Sequence, residues 1–170
     1  QLERQAERQK DYATVAEVLE RRFEDAADEK SQLTLLQKLG VLHADKLGDP
    51  SSSNRAWRRV LDVSPGHKRA LRVLRKSYVE EKDWAGLDDL YRSQDDVEGL
   101  ADFLSTTADR NKDQQQKKEL SFLAAAVYTD DIQAPERAVR SYERVLSVDP
   151  SNVRAAELLL PLYEKEEKWS

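Results

Sequence analysis

One string of this chain occurs twice. Arg59–Pro65 reads RVLDVSP and Arg144–Pro150 reads RVLSVDP. Extended at that constant offset, segments 59–84 and 144–169 are identical at 11 of 26 positions. Chance supplies about one or two such identities. The register continues upstream without a gap: Pro50 meets Pro135, Trp57 meets Tyr142, Leu35 meets Leu120, Leu19 meets Leu104, and Leu2 meets Leu87. The pattern predicts one domain, 1–170, built as two copies of a single unit, 1–85 and 86–170. The second copy stops one residue past its Trp, and the chain holds no Met, so the expectation is a segment of a longer repeat protein. Tandem repetition also has a physical reason, since a unit that cannot bury its own apolar face can bury it against its neighbour.

The spacing of apolar residues says what each copy is made of. Ala70, Val73, Leu74 and Tyr78 follow the i, i+3, i+4, i+8 rule of one helix face. SPG (64–66), DPSN (149–152) and LGDPSSS (47–53) read as helix breaks and restarts, with Ser51–Ser53 in a turn. Helices are expected near 2–9, 12–27, 30–46, 51–62, 66–81, 84–92, 96–110, 114–129, 135–147 and 151–166, about ten in all. No segment alternates with period two for long enough to make a strand. Each copy holds an odd number of helices, so regular alternation must fail somewhere. The expected place is 91–100, where the apolar phase drifts and Asp95 with Glu98 reads as a capping box. Pro161 falls inside an apolar helix and predicts a bend over Val153–Leu158. Five Gly, five Pro and 36% charged residues fit an all-α chain. No apolar run is long enough for a transmembrane helix, and no leader-like stretch stands near Gln1. The expectation is a soluble chain whose compartment the sequence leaves open, the cytoplasm being slightly favoured.

On these residues the chain resembles the tetratricopeptide-repeat family of helical hairpins. The resemblance rests on Gly48, Ser53, Trp57, Val60 and Pro65 in the first copy, and on Ala138, Tyr142, Val145 and Pro150 in the second. Leu74 with Tyr78 and Leu159 with Tyr163 follow on the next helix, and Trp84 and Trp169 sit at the next turn. It covers roughly 36–92 and 120–169. Arg75 and Leu160 depart from it, replacing the small residue that lets two helices approach closely. The resemblance implies an α-α superhelix, a solenoid whose concave groove is lined by the first helix of each hairpin and binds peptides. It extends to large bacterial proteins assembled from many such units.

No catalytic constellation is present. His43 and His67 lie on different helices without metal-ligand spacing, and the chain has no Cys. The five glycines stand singly and make no phosphate loop. Paired acids at 88–89, 95–96 and 130–131 do not share a helix face and read as caps and surface. The aromatics Trp57, Trp84, Trp169, Tyr78, Tyr142 and Tyr163 read as core. Neither a metal nor a cofactor is expected.

Charge distribution supplies the candidate site. Segment 54–77 carries a net +7 through Arg55, Arg58, Arg59, Lys68, Arg69, Arg72, Arg75 and Lys76, against Asp62 alone. The corresponding segment 139–162 is neutral, so the scaffold does not require this basicity. Arg69, Arg72 and Lys76 form one helical stripe opposite the apolar face, and their cations suit carboxylates or phosphates. The expected function is non-catalytic binding of a protein or peptide partner with an acidic segment. The alternatives are a half-repeat module of RNA-processing type and an architectural spacer within a longer array. The overall charge of −5 argues against nucleic acid.

Overall fold

Capping chemistry sets where the helices begin. In the computed structural model, which describes residues 11–167 (side chains to 165), nine α-helices follow one another. They are α1 (Tyr12–Glu24), α2 (Glu29–Asp45), α3 (Pro50–Val63), α4 (Lys68–Glu80), α5 (Trp84–Ser93), α6 (Val97–Arg110), α7 (Gln114–Ala126), α8 (Pro135–Val148) and α9 (Val153–Glu167). The side chains of Asp11, Asp28, Asp49, His67, Asp96 and Asp113 each accept the backbone N–H three residues on. Asp83 and Asn152 do the same for α5 and α9. Such a cap satisfies a donor that the first helical turn leaves open, worth about 1 kcal/mol. Of these nine helices only α8 begins without one, at Ala134.

The described residues are all helix and turn, with no strand. The helix expected at 2–9 and Trp169 lie outside them. Several boundaries differ from expectation. Ser51–Ser53 are already helical, because Asp49 caps α3 and Pro50 suits its first position. The helix expected at 12–27 ends at Glu24. α5 and α6 are separated at 94–96, and the cap there is Asp96 accepting from Gly99 N–H. Asp95 instead adopts a left-handed φ of 56° and has no capping role. α7 runs on into a π-helical turn, Val127–Asp131. α9 continues through Pro161 from Val153 to Glu167; a proline removes one intrahelical hydrogen bond but need not end a helix.

The chain divides into two compact units, Gln1–Leu90 and Tyr91–Ser170. In the N-terminal unit α1 packs on α2, α2 on α3 and α3 on α4. Its core holds Leu19, Leu36, Leu39, Trp57, Val60 and Leu74, all nearly inaccessible. In the C-terminal unit α6 packs on α7, α7 on α8 and α8 on α9, around Leu100, Leu104, Leu120, Tyr142, Val145 and Leu159. Burying each such leucine contributes about 2 kcal/mol. The helix starts keep the offset of the repeated string: 12 corresponds to 97, 29 to 114, 50 to 135 and 68 to 153.

The first letter of the repeated string acts as a brace. Arg59 of α3 donates through Nη1 to both carboxylate oxygens of Glu20 on α1, at 2.7 and 2.9 Å. Its guanidinium also lies 4.3 Å above the Phe23 ring. Arg144, its counterpart on α8, donates to Asp109 and Ser105 of α6 and to Ser121 of α7. Both arginines tie the third helix of their unit to the first.

Candidate functional site

The six basic residues singled out by charge separate into three places. Arg59 is the brace just described. Arg58 is also engaged within the fold: Nε donates to the Tyr78 hydroxyl at 2.9 Å, and Nη2 donates to the Gly86 carbonyl at 2.8 Å. Nη2 also pairs with Asp89 at 3.0 Å. Arg58 therefore fastens α3 to α4 and to the first turns of α5. Arg55 is exposed beside it, on the rim of a hollow of about 380 Å³ that Tyr78, Glu81 and Asp83 help to line.

Arg69, Arg72 and Lys76 remain as an exposed stripe on α4, opposite the buried ridge Ala70–Leu74–Tyr78. Arg69 leans from it toward α2 and α3. Its guanidinium sits 5.3 Å from the Trp57 ring centre, and Nη1 donates to Gln37 Oε1 at 3.3 Å. There it closes one end of a groove of about 500 Å³ between α1 and α2. The floor is apolar, made by Val15, Leu19, Val41 and Leu42, and the rim carries Lys38, Lys46 and Asp45. Arg72 is exposed, while Lys76 is paired within its own helix, to Glu80 at 3.6 Å.

Charge counting along 54–77 does not find Lys38, Val41 and Lys46. A signal for them exists, because 34, 37–38, 41–42 and 45 recur at helical spacing and place a second polar-apolar face on α2. The other positions singled out in sequence are structural. Trp57, Leu74, Tyr78, Ala138, Tyr142 and Leu159 are buried, Trp84 is half-buried at the start of α5, and Pro65 and Pro150 are exposed in turns. Tyr163 departs from the expected core role: it is 38% exposed, its hydroxyl donating to Glu143.

Titration behaviour in the molecule is that of caps and braces. Hydrogen bonds from the hydroxyls and N–H groups of Thr14, Ser31 and Ser52 hold the Asp11, Asp28 and Asp49 carboxyls below the ordinary value of 3.8. Asp131 is lowered by its hydrogen bonds from Arg92, and burial raises the Tyr128 phenol, which donates to Asp102. Among the described residues no group of His, Asp and Glu is placed to hold a metal ion, and no helix is long and apolar enough to cross a membrane. Comparison with known proteins finds no family model, no curated protein and no solved structure that matches this chain.

Proposed function

We propose that this chain is a non-catalytic helical-repeat scaffold of tetratricopeptide-like type, and that it binds an acidic segment of a protein partner along α2 and α4. The observation that carries the reading is the groove itself: an apolar floor rimmed by Lys38, Lys46 and Arg69, continued by exposed Arg72 and Lys76. A segment with two or three aliphatic side chains fits about 500 Å³. Its flanking carboxylates meet the cations on the rim, which steer association and fix register. The duplicated helix starts, at the offset of the repeated string, support the two-copy repeat reading. They also favour the second role, a spacer in a longer array.

The test is fluorescence anisotropy with labelled peptides of one aliphatic pattern, flanked by Glu, Gln or Lys. The Glu peptide binds most tightly, and its affinity falls with ionic strength. The triple substitution Arg69→Glu, Arg72→Glu, Lys76→Glu abolishes binding. Equal affinity for all three peptides, or for the triple variant, removes the groove as a binding site.

A further inference from the structure

Gln37, Trp57 and Arg69 meet at one end of the groove, and 85 positions further on stand Phe122, Tyr142 and Arg154. Each trio comes from three successive helices: α2, α3 and α4 in one unit, α7, α8 and α9 in the other. In both, an exposed arginine of the last helix sets its guanidinium against an aromatic ring. Arg154 lies 4.9 Å from the centre of the Phe122 ring, and that ring meets Tyr142 edge-on, with centres 6.3 Å apart and planes at 64°. A planar cation is attracted to a π face, and the edge-to-face contact adds to that attraction.

The N-terminal unit lacks the middle ring. Gln37 stands at the offset position of Phe122 and is half-buried like it. Arg69 lies instead at 5.3 Å from the Trp57 ring centre, and its bond to Gln37 Oε1 is long, at 3.3 Å. Gln37 and Arg69 both line the groove, and Val41 on the floor is 36% exposed. Apolar surface and a stacking cation thus face one space, into which this unit sends no ring of its own.

We propose that the acidic segment bound in this groove is anchored by an aromatic side chain, whose ring packs on the Arg69 guanidinium beside Gln37 as the Phe122 ring packs on Arg154. The inference rests on the binding role proposed for the groove and specifies the chemistry of its partner: one aromatic residue among the aliphatic ones, with the carboxylates next to it. The partner brings from outside the ring that the C-terminal unit carries in its own chain. Arg69 can serve both parts of the segment, because stacking uses the face of the guanidinium and leaves N–H groups along its edge for a carboxylate.

Anisotropy titrations with three labelled peptides test this. Each is flanked by Glu, and they differ at one apolar position, which is Leu, Phe or cyclohexylalanine. Cyclohexylalanine has the outline of Phe without its π face. The Phe peptide binds about fivefold more tightly than the other two, the scale of one partly exposed cation–π contact. Arg69→Gln brings the three to one affinity. Gln37→Phe fills the place from within and weakens the Phe peptide about tenfold; matched thermal melts verify that this variant is folded. Equal affinities of the wild-type protein for the Phe and Leu peptides overturn the inference and leave the groove as an aliphatic site. So does a cyclohexylalanine peptide that binds as tightly as the Phe peptide, or a preference for Phe that survives Arg69→Gln. Failure of all three peptides to bind the wild-type protein overturns the inference together with the binding role on which it rests.

Discussion

Trp57 of the N-terminal unit rests on Gly40, whereas 85 positions further on the smaller Tyr142 and Ala125 stand instead, both buried. A Cβ on Gly40 would come within 2.7–2.8 Å of two indole carbons of Trp57, so the glycine there makes room rather than a turn. Ser53 uses the same close approach, its hydroxyl donating to the Gly40 carbonyl at 2.8 Å; its counterpart is Ala138. Where a large ring meets a residue without a Cβ, a change on one side calls for a change on the other, and substitutions should be tolerated in pairs rather than singly. The largest expected effect follows. Gly40→Ala destabilises by about 3 kcal/mol, and adding Trp57→Tyr recovers part of the loss because the pair then matches Ala125 and Tyr142. Urea titration of the two single variants and the double variant measures the coupling; strict additivity would break the comparison.

The braces come next. Arg144 is 7% exposed at its side chain and serves three partners, while Arg59 is 29% exposed and serves Glu20 and the Phe23 ring. Arg144→Ala leaves Ser121 and Asp109 without their donor and costs about 2 kcal/mol. Arg59→Ala, closer to solvent, costs about 1 kcal/mol. Equal losses would mean that burial does not distinguish the two sites.

These contrasts show how much can be read without coordinates. The repeated string and the caps are local, so the helix order, the positions of Trp57 and Tyr142 in the core and the separation of two helices near 94–96 are legible in the sequence. The partners of the cations are not. Arg58 and Arg59 look like members of one basic cluster with Arg69 because they are near it in sequence. The acids that engage them, Asp89 and Glu20, are distant in sequence and brought close only by packing. The groove beside Arg69 is hidden for the same reason, since its floor is shared between α1 and α2. Tyr163 reads as core only by its match to Tyr78, which α5 covers, whereas Tyr163 stays 38% exposed.

A smaller effect separates the two turns that precede α3 and α8. Both close with the same bonds: Asp49 N–H to His43 carbonyl at 2.9 Å, and Ala134 N–H to Tyr128 carbonyl at 2.8 Å. Both also need a left-handed residue, Gly48 at φ 61° and Gln133 at φ 57°. Glycine adopts that conformation freely, and other residues lose about 1 kcal/mol. Gln133→Gly therefore stabilises by about 1 kcal/mol, and Gly48→Gln destabilises by a similar amount, read from thermal melts.

The smallest change concerns the missing cap. Ala134→Asp supplies α8 with the side chain that Asp49 gives α3, with a gain below about 1 kcal/mol because Asp130 and Glu136 stand nearby in sequence. Its pH dependence identifies the mechanism. Asp49 is lowered from 3.8 by the hydroxyl and N–H of Ser52. A carboxyl depressed in the folded state stabilises it fully above the unfolded value and loses that contribution as pH falls through the folded one. The gain in the Ala134→Asp variant should thus be constant near neutrality and fall away progressively as pH drops below the ordinary carboxyl value of 3.8. A gain that persists in acid would come from something other than an ionised cap, and the two turns would then differ in more than one side chain.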